Sequence, residues 1–139
     1  MRRTLGALAV AVALTGCGDD LEQTVSPPPE AHPVTLVHAT AGGGHPESRA
    51  TDVSDRSGLT AYVRQFSDEL AAKVTRAAGA AAGRPVLAQV VAVGCDVPAG
   101  ARLEDDVIVP AKVDAPRPEC LAPVTTVGVV ALSGSPDVR

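Results

Sequence analysis

Three histidines, His32, His38 and His45, are the side chains best suited to bind a metal or move a proton near neutral pH. His38 and His45, with Glu47 or Asp52 as a third ligand, come nearest to a metal set. No zinc-site spacing relates them, so the expectation is exposed loop histidines, with no metal and no cofactor. Asp52-x-x-Asp55 and Glu104-Asp105-Asp106 offer carboxylates to Ca²⁺ without the spacing of a dedicated loop, and read as solvated turns. No G-x-S-x-G element presents a serine nucleophile. Gly42-Gly43-Gly44 lacks the Lys-Ser/Thr of a phosphate loop and reads as a flexible hinge. A cysteine nucleophile would be Cys95 or Cys120, leaving the other without a role. The residues therefore predict a protein that is not an enzyme and has no catalytic residues.

The N-terminus carries a stronger pattern. Arg2 and Arg3 form a basic flank, and Leu5 to Leu14 is an apolar run of ten residues including one glycine. Spanning a bilayer takes about 20 apolar residues, so the run has the length of a signal-peptide core. It ends in Leu14-Thr15-Gly16-Cys17, which resembles the lipobox of bacterial lipoproteins. That resemblance implies a signal peptide over residues 1–16, cleavage after Gly16, and lipid attachment to the Cys17 thiol. Two acyl chains on one thioether-linked diacylglyceryl group would give stable anchoring, where one chain gives marginal binding. The implied location is the cell membrane, lipid-anchored, on its extracytoplasmic face.

With Cys17 lipidated, Cys95 and Cys120 remain. An even pair in an exported chain predicts a disulfide. Closing a loop of about 26 residues would contribute roughly 3.5 kcal/mol in the chain-entropy model. The stretches Val91 to Pro98 and Glu119 to Val127 resemble those of small actinobacterial lipoproteins of unknown role, a likeness that implies no activity.

Composition narrows the partners. Hydrophobic residues make up 45% of the 139, yet Tyr62 and Phe66 are the only aromatics, and there is no Trp. Stacking on single-stranded nucleic acid needs aromatic rings, and phosphate binding needs a basic patch. The formal net charge of −4 would become −6 once Arg2 and Arg3 leave with the signal peptide. Nucleic acid is therefore not an expected partner. Acidic residues and Pro27-Pro28-Pro29 mark residues 17–33 as a lipidated cysteine followed by a proline-rich tether.

A folded domain is expected over residues 34–133, with a flexible tail at 134–139. Val34 to His38 is β-prone, and Gly42 to Arg56 reads as a long loop. Leu59, Val63, Phe66, Leu70, Val74 and Ala77 recur at helical spacing, predicting one amphipathic helix capped by Ser57 and ended by Gly79 or Gly83. Mixed charge on its polar face argues for packing on a sheet rather than lying on a membrane. Val86–Val93 and Val124–Leu132 read as central strands. Val107 to Val109 is β-prone but limited by Pro110 to an edge or strand end, and Arg102-Leu103 pairs with it as a small hairpin across Glu104-Asp105-Asp106. A Cys95–Cys120 bridge would make the two central strands antiparallel and residues 96–119 an excursion stapled at its base.

Gln89 to Gly94 superficially resembles the Q-x-V-x-G hairpin of cystatin-type protease inhibitors, but it has one residue too many and follows the helix directly. A core strand is the better reading. The fold expected is α+β: an antiparallel sheet of about four strands, one amphipathic helix packed on it, and one disulfide. The function expected is a membrane-anchored extracytoplasmic lipoprotein with a non-catalytic binding domain for an envelope protein or a cell-wall ligand. The alternatives are a small envelope hydrolase or metal-dependent enzyme using His38 and His45, or a protease inhibitor. The loops 42–56 and 96–119 are the expected contact surfaces.

Overall fold

The computed structural model describes residues 32–81 and 83–134. The segments expected to be a signal peptide and most of a tether, with Cys17 between them, and residues 135–139 lie outside the described residues. In chain order the elements are β1 (Val34–Thr40), β2 (Thr51–Asp52), α1 (Arg56–Val63), α2 (Asp68–Gly79), β3 (Val86–Gly94), β4 (Ala101–Glu104), β5 (Val107–Pro110) and β6 (Val124–Ala131).

The apolar runs expected to be central strands are central. The main sheet has the order β1-β6-β3-β2, and β6 is antiparallel to both β1 and β3. Both β3 and β6 are apolar on both faces because both faces are covered. Helix α2 lies against β1 and β6 on one side, and the β4–β5 hairpin lies against β3 and β1 on the other. The result is three layers, with the sheet in the middle.

The helix side holds the main core. Leu70 and Val74 of α2 are fully buried with Ala88, Val90 and Val127 of the sheet, and Tyr62 and Val53 close the cluster. On the hairpin side, Ile108 is 1% exposed and sits over Gly128 of β6. A Cβ at Gly128 would lie 2.7 Å from Ile108 Cγ2, so the absence of a side chain there is what lets the hairpin seat.

The predicted single helix is two helices. The apolar spacing is real, and its residues all reach the core or pack on it. The chain turns between Val63 and Asp68 because other partners take the backbone N–H groups that a continuous helix would use. Ser67 N donates to Gly42 O at 2.8 Å, Phe66 forms an isolated bridge with Gly43, and Ser67 Oγ accepts from Leu70 N as the α2 cap. The cap of α1 is Asp55, not Ser57. Asp55 Oδ1 accepts from the N–H groups of Ser57 and Gly58 at 2.8 and 2.9 Å, and Ser57 is the second residue of the helix. Asp68 and Glu69 in the first turn of α2 and Arg76 in its last suit the helix dipole.

The Gly42–Gly44 segment is not a hinge. Gly43 has φ +79°, and a Cβ there would stand 2.6 Å from Gln65 O. Glycine permits both the left-handed backbone and the close crossing beneath the α1–α2 junction. Thr125 Oγ1 adds a bond to Gly43 O at 2.8 Å.

Candidate functional site

Three regions were candidates for chemistry or contact: the histidine and carboxylate positions, the 42–56 segment, and the excursion between the cysteines.

The histidines do not converge. His38 is exposed on β1, His45 is exposed on the segment after Gly44, and His32 precedes β1 beside Ser133. The carboxylates that might have joined them are engaged elsewhere. Glu47 is half-buried, and its Oε2 accepts from the Tyr62 phenol at 2.8 Å and from Val90 N at 2.7 Å. Asp52 Oδ1 accepts from both N and Oγ of Ser54, and Ser54 Oγ in turn accepts from Val86 N at 2.9 Å. The Ser54 hydroxyl, followed by its N–H, holds the Asp52 carboxyl below the usual range, and the Ser57 hydroxyl does the same for Asp55. Glu104 pairs with Arg102, while Asp105 and Asp106 form the hairpin turn with φ of 45° and 64°. Among the described residues, no group of three His, Cys, Asp or Glu side chains could hold a metal ion.

Residues 42–56 form a strap rather than an open loop. Glu47 N donates to Val90 O at 3.0 Å, Val53 N to Val86 O at 2.9 Å, and β2 pairs with Leu87 and Ala88. The strap thereby covers the edge of β3. Gln89 locks it to the hairpin layer: its Nε2 donates to Glu47 O at 2.7 Å, and its Oε1 accepts from Ile108 N at 2.6 Å. Gln89 is 3% exposed, so it is an interior link between three segments. Polar composition alone hid this, since the bonds that tie the strap to β3, the hairpin and β6 join residues more than thirty apart along the chain.

The excursion is the exposed region. Cys95 and Cys120 form a disulfide with Cα atoms 5.4 Å apart, joining the end of β3 to the approach to β6. A second clasp lies beside it. Arg117 N and Nε donate to the two carboxylate oxygens of Asp96 at 2.7 and 2.8 Å, and Arg117 Nη2 donates to Cys95 O. The N–H of Arg117, then its guanidinium, holds the Asp96 carboxyl below the usual range. Residues 114–121 are exposed throughout. Among the described residues, the three large hydrophobic side chains most open to solvent, Val93, Val97 and fully exposed Leu121, all lie within two residues of a half-cystine. The bridge therefore collects them at one end of the sheet.

These features define an α+β domain of three layers whose exposed end is stapled by a disulfide and an ion pair. No protein-family model, no curated protein and no solved structure matches the chain.

Proposed function

We propose that the chain is a membrane-anchored extracytoplasmic lipoprotein that binds an envelope protein or a cell-wall ligand without catalysis. The anchor rests on the order of basic flank, apolar run and Leu14-Thr15-Gly16-Cys17 in the sequence. The observation that carries the binding reading is the disulfide-stapled end. It presents Leu121, Val97 and Val93 to solvent on a segment fixed at its base. Exposed apolar side chains held on a rigid frame suit protein recognition, since little ordering remains to be done on contact. The strap at 42–56, expected from sequence to share the contact, is packed against β3, so the surface narrows to residues 93–97 and 112–122.

A photo-crosslinking residue in place of Leu121, in cells, tests this reading. The expectation is a discrete crosslinked product that is lost when Leu121 is left intact and the probe is moved to exposed Thr51 on the strap. Equal or no crosslinking from the two positions would count against it.

A further inference from the structure

Among the described residues, one edge of the sheet has no element covering its length. The β2 edge belongs to a two-residue strand, but β1 is seven residues long and lies at the end of the order. Ala41 N donates to Pro123 O on the β6 side, and His38 O accepts from Lys73 Nζ at 2.9 Å across the edge. Strand alternation then turns the N–H and C=O groups of Val34, Leu36, His38 and Thr40 away from β6. Lys73 takes one of those carbonyls. Val34 and Leu36 are half-buried apolar residues and no proline or charge interrupts the strand itself, so among the described residues Lys73 at His38 O is the one charged guard on this edge.

The surroundings of this edge are polarised. Helix α2 runs opposite to β1. Near His38, Glu69 is held by Lys73 at 2.6 Å. At the other end, Arg84 borders a pocket of about 150 Å³ with Pro33, Thr35, Ala77, Ala80 and Ala81. The Glu69–Lys73 pair thus flanks the C-terminal end of β1, and Arg84, in no ion pair among the described residues, flanks its N-terminal end.

We infer that β1 pairs antiparallel with β1 of a second copy about a two-fold axis at Val37, joining the two four-stranded sheets into one. This register pairs Val34 with Thr40 of the other copy and Leu36 with His38, using all four outward-facing residues. It also carries Arg84 of each protomer toward Glu69 of its partner. A shift that centred the axis on Thr35 would instead bring the two Arg84 side chains together, so charge selects the Val37 register. His38 O keeps its bond from Lys73, because a carbonyl has a second lone pair for the N–H of Leu36 from the other copy. The alanines of α2 beside the pocket allow the two helices to approach, and the pocket mouth is covered in the pair.

Light scattering of the full chain in mild detergent, with amide exchange read at β1, tests this. The expected result is a dimer in which the N–H groups of Leu36 and Thr40 are protected. Arg84→Glu and Glu69→Arg should each weaken the dimer by about tenfold or more, and the double exchange should restore it. Circular dichroism melting of each variant separates loss of pairing from loss of fold. A monomer at every concentration would overturn the inference. So would a monomer whose β1 amides are protected, which would mean that another segment covers the edge. A dimer indifferent to Arg84→Glu would overturn it as well.

Discussion

The phenol of Tyr62 donates to Glu47 Oε2 at 2.8 Å, and the same oxygen accepts from Val90 N at 2.7 Å. One carboxylate therefore ties helix α1, the strap and the central strand β3 together. Tyr62 is the only tyrosine, which makes the contact directly observable. Burial first, then the bond to Glu47, raises the Tyr62 pKa well above its ordinary value of 10. A neutral acid with a raised folded pKa stabilises the fold below its unfolded pKa. That stabilisation falls as pH rises above about 10, where only the unfolded chain loses the proton. Absorbance at the phenolate wavelength should show no ionisation in the folded protein at pH 10.5 (roughly half a unit above the free value) and should then rise together with unfolding. A simple titration near 10 with the fold intact would contradict it.

Tyr62→Phe should cost about 1–2 kcal/mol in denaturant unfolding, since it removes one buried bond and leaves Glu47 its second donor. Glu47→Ala should cost more, because both the phenol and Val90 N lose their acceptor. Equal costs would show that the carboxylate does not join the two segments.

Much of the fold can be read from the residues. The largely apolar runs at Val86–Val93 and Val124–Leu132 are legible because a strand covered on both faces is mostly apolar, with Gln89, Thr125 and Thr126 as its buried polar exceptions. The hairpin is legible from Asp105-Asp106 between β-prone pairs, and the bridge from an even cysteine pair. What escapes is whatever depends on distant backbone. The α1–α2 break has no local breaker, since Phe66 fits the helical spacing. Its cause is Gly42 and Gly43, more than twenty residues upstream. The strap looks like a loop because Glu47, Ser54 and Gly43 find their partners at Val90, Val86 and Thr125. His38, expected on a loop, lies in β1 opposite Thr126, and the exposed apolar cluster at Val93, Val97 and Leu121 emerges only once the disulfide is closed.

Thr126 sits on β6 with no exposure, and its Oγ1 has no hydrogen-bond partner among the described residues. Thr126→Val keeps the shape and removes the unpaired hydroxyl, so the melting temperature should rise, with a gain of about 1 kcal/mol. A loss of stability of that size would place a partner on the hydroxyl.

Reduction of Cys95–Cys120 should lower stability by roughly 3–4 kcal/mol while the three-layer core persists, because Ile108 and Gln89 still hold the hairpin. Free-thiol titration of the oxidised protein carrying Cys17→Ala should find no reactive thiol. The neighbouring Asp96 has a depressed folded pKa, so its contribution is present above the unfolded carboxylate pKa and is lost as pH falls through the folded value. Carboxyl chemical shifts followed against pH should place the Asp96 midpoint below that of an ordinary aspartate, and Arg117→Ala should raise it only part of the way, because the backbone N–H at position 117 remains.

Presentation of the domain from a lipid anchor at Cys17, as proposed above, can be read from intact mass together with membrane fractionation. The chain from cells should begin at Cys17, carry a diacylglyceryl mass addition and sediment with membranes, and Cys17→Ala should abolish both lipid and sedimentation. A chain that keeps residues 1–16, or one without added lipid that fractionates identically with and without Cys17, would contradict it.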